Sequence, residues 1–221
     1  MTAALLLGLT AALAVADWVA VARGWRKAEF FLKPGVMLAL LAWFYSTTGF
    51  RGWTIWFALG MLLSLAGDVF LILPKEQFLA GFGAFWLALA LYTVGFSASL
   101  PALNVTSLAL AAMICLPAIQ VHRQVAASLC ASGQAWLVWP TIAYTFVLSL
   151  MTWSGLLTLL REDWQPAPAL IASAGALSFM ISDTLLGWNR FVTPSRNGRV
   201  VSMLTYHLGQ ILIAAGVALH Y

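Results

Sequence analysis

An all-α polytopic membrane protein, eight transmembrane helices in one bundle, is the fold that this sequence predicts. Three observations predict it. Only 8% of the 221 residues are charged, where a soluble domain carries roughly a quarter. Hydrophobic residues make up 62%, and the mean hydropathy is +0.93. The apolar residues also fall into eight runs, each near the ~20 residues that a helix needs to cross hydrocarbon. The polar interruptions are too short for a soluble catalytic domain. Any chemistry therefore belongs within or at the edge of the bilayer, and 1–221 is expected to form a single transmembrane domain.

The first span, about 3–22, contains Ala14-Val15-Ala16, which mimics a signal-peptidase site; no Lys or Arg precedes the run, so it reads as a retained helix. The second, about 33–49, opens on Lys33-Pro34, and the third, about 54–73, carries Asp68. The fourth, about 78–99, holds Trp86 and Tyr92. The fifth, about 103–121, contains Cys115 and Pro117, and the sixth, about 135–159, contains Pro140 and Tyr144. Both prolines are expected to kink their spans, which neighbouring helices tolerate. The seventh, about 167–188, carries Asp183, and the eighth, about 200–219, carries Tyr206, His207 and Gln210. Breaks at 23–33, 49–53, 74–77, 100–104, 122–135, 161–166 and 189–199 separate them, several marked by Pro, Gly or charge. His122 and Cys130 fall in the break at 122–135, and two cysteines so placed argue against a disulfide framework.

Charge orients the chain. The odd-numbered loops carry Arg23, Arg26, Lys27, Lys33, Lys75, Arg123, Arg190, Arg196 and Arg199, while the even-numbered loops carry only Arg51 and Arg161. By the positive-inside rule the odd loops face the cytoplasm and both termini face the opposite side. A bacterial inner membrane is the expected compartment. The net charge of +4 is thus a topology signal. Without aromatic residues interleaved among the cations it does not point to nucleic acid.

A carboxylate in hydrocarbon costs several kcal/mol unless it is paired, protonated or wetted. The chain has seven acidic residues, and Asp68 and Asp183 both lie inside spans. Each precedes an odd-loop cation by seven residues, so each lies ~10 Å below that flank. Asp17, six residues before Arg23, and His207, eight after Arg199, fall in the same slab. Tyr206 and Gln210 share a helix face beside His207. One polar site opening toward the cytoplasmic leaflet accounts for this clustering. Gly60, Ser64 and Asp68 line one face, where small residues admit a close neighbour. The third and seventh spans share a pattern of small residue, Asp, and a cation seven positions on, as a duplicated parallel four-helix unit would give.

These segments resemble the YhhN family of lysoplasmalogenase-like membrane proteins. The resemblance rests on Lys33-Pro34, on Ser64-Leu65-Ala66-Gly67-Asp68-Val69-Phe70-Leu71, on Gly81-Phe82-Gly83-Ala84-Phe85 leading to Tyr92, and on Tyr144 with Met151. It continues through Ser182-Asp183-Thr184, Asn189-Arg190-Phe191 and Thr205-Tyr206-His207-Leu208-Gly209-Gln210, and covers nearly the whole chain. It implies an eight-helix enzyme that cleaves the vinyl-ether bond of lysoplasmalogens to a fatty aldehyde and a glycerophospho-base. It also implies that Asp68 and Asp183 are the family's intramembrane aspartates and that Lys33 is its Lys-Pro lysine. Leu89 departs from the pattern, since many relatives carry a His there. Either His207 substitutes for it or the substrate differs.

Vinyl-ether hydrolysis needs a proton on the β-carbon, an oxocarbenium ion and an attacking water. One carboxylic acid and one carboxylate meet these demands, as in glycoside hydrolysis, and two carboxyls sharing a water-poor site do not both ionise. Asp68 and Asp183 are the expected catalytic pair, with the acid unassigned between them. Lys33, Asn189 and Arg190 are expected to hold the lipid phosphate, helped by a helix N-terminus. The apolar chain is expected to run past Trp43, Trp86 and Tyr92 toward the outer leaflet. Tyr92, Tyr144, Tyr206, His207, Gln210 and Asp17 complete the candidate site, although Asp17 alternatively pairs with Arg23 and His207 alternatively bonds within the core. No cofactor or metal is expected, because three histidines so dispersed do not assemble a zinc site. The expected partners are a lysophospholipid and membrane lipids; nothing in the sequence speaks to an oligomer. A proton-coupled transporter or a lipid-binding membrane protein is the alternative class. Most Trp residues, among them Trp18, Trp25, Trp53, Trp136, Trp164 and Trp188, sit near span ends as interfacial anchors.

Overall fold

The computed structural model describes residues 2–73, 77–99 and 103–221; Lys75, counted above among the odd-loop cations, lies outside them. Among the described residues, eight helices are long and apolar enough to cross a membrane. They are α1 (Thr2–Ala22), α2 (Arg26–Thr48), α3 (Thr54–Ile72), α4 (Phe78–Phe96), α5 (Val105–Ala131), α6 (Val138–Leu157), α7 (Pro166–Phe191) and α8 (Gly198–His220). Single 3₁₀ turns precede and follow α6. The chain is an integral membrane protein, and large apolar side chains such as Phe31, Val105, Met113 and Trp139 cover its outer surface.

Local signals set several boundaries. Gly49 ends α2 in the left-handed conformation, with its N–H bonded to the Tyr45 carbonyl. Asn104 caps α5 reciprocally: its side chain accepts from the Ser107 N–H at 2.8 Å, and Ser107 Oγ accepts from the Asn104 N–H at 2.9 Å. Pro166 begins α7, where its missing N–H has no partner to lose. Pro140 falls in the first turn of α6 for the same reason, so it interrupts no helical bond.

Three expectations about the spans are corrected. Helix α2 starts at Arg26, not Lys33, so Lys33-Pro34 lies two turns inside it and does not open it. Helix α5 runs on to Ala131, so His122 and Cys130 are helical residues, not loop residues. Helix α7 extends through Asn189 and Arg190. In each case polar residues look out from the ends of a helix longer than its hydrocarbon stretch, and hydropathy alone truncates such a helix.

Close backbone approach joins the helices into antiparallel hairpins. A Cβ on Gly175 would meet the Ile213 backbone nitrogen at 2.5 Å, and one on Gly216 would meet the Ala172 nitrogen at 2.6 Å. Rising numbers on α8 therefore face falling numbers on α7. Ser182 Oγ donates to the Ser202 carbonyl at 2.8 Å and Ser202 Oγ returns a bond to the Ser182 carbonyl at 3.0 Å. Ser178 Oγ donates to the Thr205 carbonyl at 2.8 Å. Lipid tails supply no hydrophobic drive between helices, so small residues and interhelical hydrogen bonds do this work. Helices α3 and α4 pack similarly, with rings of α4 seated on glycines of α3: Tyr92 on Gly60 and Phe85 on Gly67. Helix α8 also touches α1, α2 and α3 and is the centre of the bundle, whereas α5 packs on α6 and α7 and is the most exposed.

At the end of the bundle carrying the even loops, Arg161 binds the α4 terminus to the α6–α7 connection. Its guanidinium donates to the Phe96 carbonyl at 2.6 Å and to Asp163 at 2.6 and 3.0 Å. Trp164 is buried and stacks on His220 at 3.9 Å, so it is packed there and is not an interfacial anchor.

Gly216→Ala is expected to lower stability in detergent by about 1–3 kcal/mol, because a methyl there forces two backbones apart. Gly83→Ala, with open space at its Cβ, should be neutral or stabilising; thermal unfolding of both variants checks this. A second expectation concerns pH. The hydrogen bond from Arg161 holds the Asp163 carboxyl down at about 2, below its ordinary 3.8. A depressed folded value means that the contribution is present above 3.8 and fades as pH falls toward 2. Asp163→Asn should therefore lower the melting temperature at pH 7, by less than about 1 kcal/mol because half-exposed pairs are screened, and the difference should close on acidification.

Candidate active site

The odd-loop end of the bundle holds a cavity of about 640 Å³, within the range of small-molecule sites. Helices α2 to α8 all contribute to its wall. Asp68 and Asp183 both line it, as do Lys33, Tyr144, Tyr206, Asn189 and Arg190.

Asp68 has no solvent exposure. Its Oδ1 lies 2.9 Å from Lys33 Nζ, an ion pair without an aligned hydrogen bond. Its Oδ2 accepts from the Tyr206 hydroxyl at 2.6 Å. The Lys33 ammonium also sits 5.5 Å from the centroid of the Tyr206 ring, a cation–π contact. One residue from each of α2, α3 and α8 is thereby fixed at a single point. Aromatic edges of Phe85 and Phe179 hold the Tyr206 ring.

Asp183 has a different environment. It is partly open to the cavity, and its Oδ2 accepts from the Tyr144 hydroxyl at 2.5 Å. Phe82 packs against the Tyr144 ring at 4.6 Å. Among the described residues the two carboxyl groups make no hydrogen bond to each other; they share a cavity with separate supports.

The remaining sequence-predicted residues divide. Asn189 lines the cavity, but its amide is engaged: Nδ2 donates to the Leu185 carbonyl at 2.7 Å and Oδ1 accepts from the Ser195 N–H at 2.8 Å. It shapes the α7–α8 turn. Arg190 lies 4.0 Å from the centroid of the Phe78 ring. Tyr92, Gln210, His207 and Asp17 do not line the cavity. Tyr92 donates to Gln210 at 2.6 Å in the core. His207 Nδ1 accepts from Trp18 Nε1 at 3.1 Å, so Trp18 is tied to the core and is no free anchor. Among the described residues, both Asp17 oxygens are buried without a hydrogen-bond partner, and no bond joins Asp17 to Arg23. Leu89 is buried in the core, away from the cavity.

Two expectations change. Lys33 is not at a helix N-terminus, since it stands two turns inside α2 with Asp68 as its partner. The apolar wall does not run past Trp43, Trp86 and Tyr92; Phe82, Phe85, Val121, Leu148 and Met180 form it, between α4, α5, α6 and α7.

Glu29, Arg199 and His122 are among the lining residues that sequence reasoning missed. Glu29 and Arg199 form an ion pair across α2 and α8, with both carboxylate oxygens accepting at 2.6 and 2.5 Å. Their spacing from Lys33 and Tyr206 on the same helices was the available signal. His122, on the cavity wall with neither ring nitrogen bonded among the described residues, was obscured by its assignment to a loop.

The model of the YhhN family matches residues 28–217. Lysoplasmalogenase TMEM86B of Sus scrofa is 33% identical over 158 residues, 72% of this chain and 61% of the pig protein's length. The human protein of that name is 31% identical over 182 residues, covering 81% of this chain and 70% of its own. The YhhN membrane protein of Escherichia coli O157:H7 is 24% identical over 220 residues, 94% of this chain and 97% of that one. No solved structure matches the chain.

Lys33→Met is expected to destabilise the protein by about 3–5 kcal/mol, because it strands a buried carboxylate. The double variant Lys33→Met with Asp68→Asn should regain most of that loss. A double-mutant cycle of unfolding in detergent measures the recovery.

Proposed function

This chain belongs to the YhhN family, and on that premise we propose that it is a membrane-embedded hydrolase of lysoplasmalogen-type lysophospholipids. It cleaves the vinyl-ether bond and releases a fatty aldehyde and a glycerophospho-base. Relatives that carry the name lysoplasmalogenase support this reading. The single observation that carries it is the pair of carboxyl groups, Asp68 and Asp183, lining one cavity with different partners.

The partners support different roles for the two. Asp68 faces an ammonium and a hydroxyl donor; it acts as the carboxylate. Asp183 faces one hydroxyl donor and the open cavity, and its second oxygen carries the proton. Asp183 delivers that proton to the β-carbon of the vinyl ether. The resulting oxocarbenium ion is steadied by the Asp68 carboxylate in a site of low dielectric. Water adds to the cationic carbon and passes a proton back to a carboxylate. The hemiacetal then collapses to the aldehyde and the free sn-1 hydroxyl. Tyr144 and Tyr206 orient the two carboxyl groups. The lysolipid tail lies along the apolar wall, and the head group points to the mouth, where Arg26 and Arg199 stand. By the positive-inside rule that mouth faces the cytoplasm.

Purified protein incubated with a lysoplasmalogen should release a fatty aldehyde detectable by mass spectrometry. The saturated alkyl-ether analogue, which has no carbon to protonate, should survive. Asp183→Asn, and Asp68→Asn made together with Lys33→Met so that no buried charge is stranded, should each lower turnover at least about 100-fold while remaining folded. Turnover of the saturated ether, or full activity in either variant, would overturn the assignment.

A further inference from the structure

Along α2 the cavity is lined by Arg26, Glu29 and Lys33, positions that repeat on one helix face. Lys33 sits at the level of the Asp68 carboxylate. Glu29 is one turn nearer the mouth, about 6 Å along the axis, and Arg26 about 4.5 Å beyond it. Glu29 is only 3% exposed, yet its partner Arg199 has a side chain 47% exposed. Among the described residues Arg26 has no ion-pair partner. The mouth thus presents a buried acid and two reachable guanidinium groups.

We propose that Glu29 is the cation subsite of the substrate head group: its carboxylate takes the ammonium of an ethanolamine or choline head group while Arg199 turns to the phosphate. This inference rests on the lysoplasmalogen reading and names the head-group class it serves. A glycerol and a phosphodiester separate the vinyl ether from the ammonium. With the ether at the two aspartates, the ammonium must lie outward of them, and among the described residues Glu29 is the acid that lines the cavity there. Binding is an exchange of ion pairs. The internal pair of Arg199 with Glu29 opens into one pair of Arg199 with phosphate and one of Glu29 with ammonium, and Arg26 supplies the second phosphate contact. Charge stays balanced throughout. A head group that is only a phosphate also draws Arg199 away, but it gives Glu29 nothing in return. A buried carboxylate left unpaired penalises that ligand, so the site selects zwitterionic head groups by rejection as well as by attraction.

The test compares kcat/KM for lysoplasmenylethanolamine and for lysoplasmenic acid, which differ only in the ethanolamine. The wild-type protein should favour the zwitterion by at least about tenfold. In Glu29→Gln that ratio should fall toward one, chiefly through loss on the zwitterion. An unchanged ratio in Glu29→Gln, even with lower activity on both lipids, means a structural ion pair and overturns the proposal. So does a wild-type protein without preference. If Glu29→Gln fails to fold, as thermal unfolding will report, Glu29→Gln with Arg199→Gln leaves no stranded charge and must likewise lose the preference. Binding of the saturated alkyl-ether analogues of the two lipids, read by tryptophan fluorescence, separates the two claims. Discrimination there that is lost in Glu29→Gln, with no aldehyde released from either vinyl ether, keeps the cation subsite and removes the hydrolase. Aldehyde release with no discrimination in binding or in kcat/KM does the reverse.

Discussion

The ion pair between Lys33 and Asp68 is the constraint on which the rest depends. Two opposite charges 2.9 Å apart inside a bilayer are tolerable only together, because either alone would carry the full cost of desolvation. The pair, with Tyr206 as third member, fixes α2, α3 and α8 at one depth. Those helices form one side of the cavity. The other side carries Asp183 and its tyrosine on α7 and α6. Two carboxyl groups of one residue type thus acquire different chemistry from what surrounds them: one is compensated by a cation, the other held by a neutral donor.

Packing delivers the second carboxyl group to the first. Asp183 reaches the cavity because α7 lies against α8 at glycine distance, with Ser182 bonded across to Ser202 one residue from the acid. Tyr206 lies one helical turn beyond Ser202 on α8 and bonds Asp68. The same hairpin therefore positions both halves of the site. The shape of the cavity follows: a polar mouth at the odd-loop end, two carboxyl groups beneath it, and an apolar wall toward α5. An amphiphile with a charged head and a single tail has this arrangement of polarity.

Depth was legible in the sequence, and direction around the helix axis was not. A fixed rise per residue put Asp17, Asp68, Asp183 and His207 in one slab, and the hydropathy runs located eight spans. Which of those side chains meet depends on how each helix is rotated against its neighbours, and packing decides that. Asp68 and Asp183 turn to the cavity; Asp17 and His207, at similar depth, turn into the core around α1 and α8. Lys33 was legible as a functional cation, but its partner was not, because hydropathy began α2 seven residues late. The same truncation hid Glu29, which belongs to the first turn of the helix, and put His122 in a loop. Charged residues on the outer turns of long helices are where a hydropathy reading fails, and here those turns carry the mouth of the site.

In the proposed reaction a carboxylic acid held in the membrane delivers one proton to a carbon atom of the substrate. Hydrolysis in D₂O, with the aldehyde trapped as it forms, tests this most directly. One deuterium is expected on the carbon next to the aldehyde, delivered to a single face and so in enantiomeric excess, because in the proposed reaction Asp183 approaches the bound double bond from one side. Aldehyde without deuterium at that carbon, or with deuterium equally on both faces, would contradict it.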